Sequence, residues 1–215
     1  VSWRRVADGR GGWRRIATPL FDLGTIPAGN LFSTAEDLAR FASELLGGGG
    51  RILRPESLRE MWTPQLTDQP RGFGLGFAVG NFRGHRAVSH SGAVYGHSTS
   101  LVLLPEKKLA AIVLANEDIA NGRVRRITHA ALSLLLEMKF GEMPPPLPPP
   151  HRLDSLAPYT GDFESSSYWA RLEVRDGRLV GDLSGQPTRF TARSDLEFTA
   201  DSRIEDAAPV TFIRG

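Results

Sequence analysis

Two apolar runs, Ser98 to Leu104 and Leu109 to Ala115, stand either side of the polar stretch Pro105-Glu-Lys-Lys108. Runs of this length, rich in Leu, Val and Ile and split by a turn signal, predict a β-hairpin. Ahead of them a short strand signal, Ala87-Val88, leads into His90-Ser91-Gly92, which sets an imidazole, a hydroxyl and an open backbone on one strand. Upstream, Phe73, Leu75, Phe77 and Val79 alternate with small residues, which predicts a strand. The glycines of Gly72-Phe-Gly-Leu-Gly-Phe77 do not make a phosphate loop, because Phe77 stands where G-x-G-x-x-G needs its third glycine and no Lys-Ser/Thr follows.

Three helices are predicted. Leu38, Phe41, Ala42 and Leu45 fall at i, i+3, i+4 and i+7, with Ser33 and Glu36 as a capping box and Gly47 as the stop. Pro55 opens a short helix with Leu58, Met61 and Trp62 on one side. Residues 122–140 read as a longer helix with Val124, Ile127, Ala131, Leu134, Leu135 and Met138 as its apolar stripe and Gly141 beyond it. Residues 1–17 read as a hairpin with a Gly-rich turn flanked by Trp3 and Trp13. That hairpin carries Arg4, Arg5, Arg10, Arg14 and Arg15 against Asp8 alone, so it is either a basic surface for an anionic partner or simply a solvated ribbon.

A run of prolines, Glu142-Met-Pro-Pro-Pro-Leu-Pro-Pro-Pro150, is a stiff linker. The short alternating runs beyond it, Trp169 to Val174, Arg178 to Leu183 and Val210 to Ile213, predict a small all-β unit. The pattern therefore predicts an α+β chain: an antiparallel sheet with helices over 1–141, a linker over 142–150 and a small all-β unit over 151–215.

Composition narrows the chemistry. The chain has 215 residues, 40% hydrophobic and 23% charged, with a net charge of +2, too little to imply a nucleic-acid partner. It has no cysteine, which removes disulfide and thiolate chemistry and leaves the compartment open. No run approaches the about 18 apolar residues a membrane span needs. His85, His90 and His97 fit no zinc spacing, so no metal is expected, nor any other cofactor. The chain opens on Val1 with no apolar leader, as though cut from something longer.

His90-Ser91-Gly92, followed by Gly96, Ser100, Pro105-Glu106 and Leu114-Ala115-Asn116, resembles the third motif region of the serine β-lactamase and DD-peptidase superfamily, in its class C-like hydrolase branch. Pro27-Ala-Gly leading into the Ser-Thr-capped helix and the Gly-Leu-Gly segment at 74–76 resemble the same branch. Tyr159-Thr-Gly-Asp-Phe163 resembles the start of the lipocalin-like β-barrel domain often appended to such hydrolases. The resemblance implies a serine hydrolase that cleaves amide or ester bonds through an acyl-enzyme, with a small amide or ester, a peptide or a β-lactam, as substrate. It implies that His90 stands where the family has a cationic Lys or His, that Ser91 offers its hydroxyl to the same substrate group, that Gly92 lets substrate approach the backbone, and that the Ala93 N–H is one of two oxyanion donors. It implies further that the His-Ser-Gly strand is an open edge, and that Leu109–Ala115 is a central strand needing a neighbour from elsewhere.

Two parts of that active site are absent. The three lysines, Lys107, Lys108 and Lys139, are preceded at three residues by Leu104, Pro105 and Leu136, so no Ser-x-x-Lys exists. The four asparagines, 30, 81, 116 and 121, have Ala28, Val79, Leu114 and Ile119 two residues before them, so the second motif is missing as well. The expectation is that no nucleophile lies in this chain. Three readings stay open: the C-terminal part of a hydrolase, a non-catalytic binding module, and one half of a two-chain hydrolase whose second chain supplies the N-terminal half.

Overall fold

A computed structural model describes residues 1–10, 12–19, 24, 26–66, 71–146, 149, 151–166 and 168–213. The chain divides into two units, one comprising 1–119 and 124–144, the other 120–123 and 145–215.

The first unit begins with a hairpin, β1 (Trp3–Ala7) paired antiparallel with β2 (Trp13–Ala17). Helix α1 (Ala35–Leu46) follows. Its cap lies one residue later than the expected Ser33–Glu36 box: Thr34 is extended, and its Oγ1 accepts a hydrogen bond from the Asp37 N–H at 3.1 Å. Glu36 and Asp37 then occupy the first turn, where the helix dipole favours acids. Ala42 and Leu45 are buried, with Phe41 packed beside them, as the periodicity requires. Helix α2 (Pro55–Met61) has Pro at its start and buries Leu58.

The alternating stretch 73–79 is not one strand. It breaks into β3 (Gly72–Phe73) and β4 (Ala78–Phe82), and the residues between them turn back on α2. Leu75 N–H donates to the Met61 carbonyl at 2.9 Å, and the backbone passes so close that a Cβ on Gly74 would overlap the same oxygen. Period-two alternation was present, but a backbone contact with α2 decides the local conformation.

Strand β5 (His85–Val94), β6 (His97–Leu104) and β7 (Leu109–Ala115) complete a five-stranded antiparallel sheet in the order β3-β4-β5-β6-β7. Alternate residues separate its faces. Val88 and Leu103 pack with Ala42, Leu45, Leu58, Trp62 and Phe77 on the α1/α2 side. On the other side, Ala87, Val102, Leu104, Leu109 and Ala111 meet Leu132 and Leu136 of helix α3 (Asn121–Phe140). The expected α3 stripe is displaced: Ile127, Leu134 and Met138 are exposed, whereas Val124, Thr128, Leu132 and Leu136, spaced by four, are buried. Ala131 and Leu135 flank that row as expected. Thr128 is buried because its hydroxyl donates to the Val124 carbonyl at 2.8 Å within the helix. A polar-looking residue therefore joins the apolar row, and apolar Leu134 faces outward. No helix among the described residues is long and apolar enough to cross a membrane.

The second unit is a six-stranded antiparallel meander curled into a half-barrel, with β8 (Gly161–Glu164), β9 (Trp169–Arg175), β10 (Arg178–Leu183), β11 (Gln186–Ala192), β12 (Glu197–Asp201) and β13 (Ala208–Thr211) adjacent in chain order. Asp176 and Gly177, both with positive φ, turn β9 into β10. Tyr159, Phe198 and Phe212 form a ring cluster at its centre, and the Tyr159 hydroxyl donates to the Asp195 carbonyl at 2.6 Å.

Leu132→Ala, at a position with no exposure, should destabilise the chain by about 2–5 kcal/mol, whereas Leu134→Ala, 58% exposed, should stay within about 0.5 kcal/mol. Urea unfolding of both variants checks this; equal losses would restore the stripe expected from the sequence.

Candidate functional site

The candidate site lies on β5, whose two ends are fixed by two tight turns. Arg83 and Gly84, both with positive φ, close β4 onto β5 at the pair Phe82↔His85. Tyr95 and Gly96 close β5 onto β6 at Val94↔His97. In a two-residue hairpin the closing pair is hydrogen-bonded, and bonding alternates from there along an antiparallel pair. Counted from the first turn, the backbone groups of 85, 87 and 89 face β4. Counted from the second, those of 94, 92 and 90 face β6. Both counts agree.

β4 ends its pairing at Ala78↔Ser89, while β6 continues to pair from Val88 through Val94. The backbone groups of Ser91 and Ala93 therefore point to the side on which β4 has stopped. The strand is not an edge along its whole length, as the resemblance implied; its first half pairs with β4, Val88 and Ser89 have partners on both sides, and its second half is bare on the β4 side among the described residues. β7 ends the described sheet.

Side-chain direction separates the four candidates. His90 and Gly92 share the face of Val88, toward α1 and α2, and Ser91 and Ala93 take the α3 face. His90, Ser91 and Ala93 are exposed, and Gly92 is half-buried. Among the described residues no hydrogen bond or ion pair is made by the His90 or Ser91 side chain. Gly92 lies under Thr99, whose Oγ1 stands 2.5 Å from where a Cβ would be. Behind Ser91 and Ala93, the partners Ser100 and Ser98 are buried, and Ser98 Oγ donates to the Glu117 carbonyl at 2.9 Å. His97 is half-buried at the start of β6. Among the described residues no group of three or more His, Cys, Asp or Glu converges as metal ligands would.

Two structural supports escaped the sequence reading. The first is the docking of the β1–β2 hairpin at the site end of the sheet. Trp3 N–H donates to the Asn116 carbonyl and the Asp118 N–H donates to the Trp3 carbonyl, at 2.9 and 3.1 Å. Ser2 and Thr18 join side chains above Gly96, where a Cβ would stand 2.6 Å from Ser2 Oγ. Arg4 lies over the Tyr95 ring at 4.8 Å and 3.7 Å from the buried Asp118 carboxylate. Gly96 was the only local signal of this close approach.

The second support sits at the opposite end of β5. Glu142, which follows α3, accepts from Lys107 on one carboxylate oxygen and from His85 Nε2 on the other at 2.6 Å, and its carbonyl accepts from Arg83 at 2.8 Å. Lys107 also lies 4.5 Å above the Phe140 ring. The cluster ties the end of α3 to the turns after β4 and β6. The hydrogen bonds from Lys107 and then His85 hold the Glu142 carboxyl below its ordinary range. These partners lie 35 to 59 positions apart, so no local motif betrays them.

Glu142→Gln tests that second support. A depressed carboxyl pKa contributes stability above the ordinary glutamate value and loses it as pH falls through the lowered one. Wild type should exceed the variant in urea midpoint at neutral pH, and the difference should shrink as pH falls below the ordinary value of 4.5. A difference independent of pH would rule out the carboxylate as its source.

A family model described as Beta-lactamase matches residues 2–136. Human beta-lactamase-like 1 is 33% identical over 154 residues, covering 66% of this chain and 31% of that protein. Protein Rv1367c of Mycobacterium tuberculosis is 43% identical over 68 residues, covering 24% of this chain and 17% of that protein. Among solved structures, the octameric penicillin-binding protein homologue from Pyrococcus abyssi aligns with a TM-score of 0.56 at 21% identity, covering 92% of this chain and 46% of that one. The chain thus spans about a third of the human relative and less than half of the solved homologue.

Proposed function

The chain belongs to the beta-lactamase family, and from that premise we propose that the bare half of β5 is one wall of an acyl-transfer site for an amide or ester substrate. The observation that carries the reading is the backbone of Ala93, directed by the register of two hairpins to the side where β4 has ended. A substrate carbonyl lying along that edge meets the Ala93 N–H as an oxyanion donor, the second donor being the amide of the attacking serine. His90 flanks the substrate from one face of the strand and Ser91 from the other. His90 steers protons or holds a substrate carboxylate, Ser91 offers a hydroxyl, and Gly92 keeps the strand surface low enough for close approach.

The serine that forms the acyl-enzyme and the base that activates it come from outside these 215 residues, because the chain has neither Ser-x-x-Lys nor the second motif. β7 stands at the edge of the described sheet with an apolar sequence, which favours completion of the sheet by a strand of the missing half. That half is either a further segment of one protein or a second chain. A non-catalytic binding module would keep the same edge without the nucleophile.

The 215 residues alone should neither hydrolyse nitrocefin or p-nitrophenyl esters nor label with a fluorophosphonate. Labelling abolished by Ser91→Ala would make Ser91 the nucleophile and overturn this assignment. When the chain is joined to a nucleophile-bearing half, His90→Ala should lower kcat on the order of 100-fold and His97→Ala by less than about threefold. Equal losses would place the site elsewhere on the sheet.

A further inference from the structure

The charge of this chain is unevenly distributed. The hairpin of residues 1–17 holds five arginines and one aspartate, a net +4, against +2 for the whole chain, so the remaining 198 residues carry −2. Asp8 is the one negative charge of the hairpin, and its carboxylate accepts from the N–H groups of Arg10 and Gly12, both at 2.8 Å, which hold its carboxyl below the ordinary range.

The strand register sorts these charges onto two faces. Arg4 lies on the face of Val6, Arg14 and Ile16 and is engaged by Tyr95 and Asp118. The other face carries Arg5 directly opposite Arg15, with Trp13 and Trp3 at its two ends. Like charges placed directly across an antiparallel pair cost stability. Nothing buried requires them there: every residue of β2 is exposed, and Trp13 and Trp3 are 55% and 37% exposed. Arg5 lies 5.6 Å over the Trp13 ring, and Arg15 reaches Glu117 only at 3.8 Å while remaining 67% exposed. Two guanidiniums bracketed by two indoles on a shallow, solvent-facing ribbon have the composition of an interfacial anchor: the indoles enter the headgroup layer and the arginines meet its negative charge.

We propose that this face of the β1–β2 hairpin docks on an anionic phospholipid surface. The hairpin is tied by backbone and side-chain contacts to the Tyr95–Gly96 end of β5 and β6, so docking would bring the bare edge of β5 close to the bilayer. The charge complementarity favours an extended anionic surface over a small ligand, since every residue of β2 is exposed and Arg15 is 67% exposed. Nothing in this argument depends on the acyl-transfer reading.

The test is co-sedimentation of the chain with vesicles of equal parts phosphatidylglycerol and phosphatidylcholine at low salt, compared with phosphatidylcholine alone. The chain should sediment only with the mixed vesicles, its tryptophan emission should shift to the blue, and raising salt to about 0.15 M should weaken binding. Arg5→Gln with Arg15→Gln should weaken it about fivefold per arginine, and Trp13→Ala should remove most of the emission shift. Arg59→Gln, on exposed α2, should leave binding unchanged. Inorganic phosphate at millimolar concentration should not compete, which separates a surface from a phosphate site. If a doubly substituted chain does not fold, protection of the wild-type indoles from iodide quenching on mixed vesicles decides the matter. Absence of sedimentation at low salt, equal sedimentation with neutral vesicles, an equal loss in the Arg59 variant, or binding to a single-stranded oligonucleotide with none to vesicles would each overturn the proposal.

Discussion

The hydrogen-bond register of β5 is the constraint on which the rest of the first unit depends. Two two-residue turns fix it from both ends, and their parities agree. The ten residues of the strand can then be placed in only one way: Val88 enters the α1/α2 layer and Ala87 the α3 layer. A one-residue slip would put Ser89 in the place of Val88 and Val88 in the place of Ala87, sending every side chain of the strand to the opposite layer. The same register sets which backbone groups of residues 90–94 face outward. Core packing and site geometry are therefore consequences of one alignment.

Much of this was legible in the sequence. The runs 98–104 and 109–115 became β6 and β7, because a continuous apolar run bounded by Pro-Glu-Lys-Lys has few other uses. Three of the four apolar positions predicted for α1, Phe41, Ala42 and Leu45, pack in its core. The family was legible from His90-Ser91-Gly92 and the spaced residues around it. What failed did so where a specific hydrogen bond outweighed the apolar pattern. The segment 73–79 alternates as a strand would, yet the Met61 carbonyl draws its middle into a bend. In α3 the choice between rows 124-128-132-136 and 127-134-138 lay in a threonine satisfying its hydroxyl within its own helix. The Glu142 cluster could not be read at all, because its members meet only after the sheet and α3 are packed.

The two ends of β5 are supported by different physics. At the Arg83–Gly84 end a carboxylate gathers a lysine and an imidazole, so that support weakens in acid. At the Tyr95–Gly96 end backbone pairing through Trp3, a serine–threonine contact above a glycine, and an arginine on a tyrosine ring fix the turn. The candidate edge lies next to the second of these. A strand held by backbone pairing on one side and unpaired on the other among the described residues is rigid where the proposed substrate wall must hold position and open where it must accept a ligand.

Amide hydrogen exchange along β5 tests the central claim most directly. If the second half of the strand is paired only with β6, protection should alternate, with the His90, Gly92 and Val94 amides slow and those of Ser91 and Ala93 fast, while the Ala87 amide, facing β4, and the Val88 amide, facing β6, are both slow. Uniform protection from His90 to Val94 would mean that the edge is covered or that the register is wrong, and the wall assigned to the substrate would not exist.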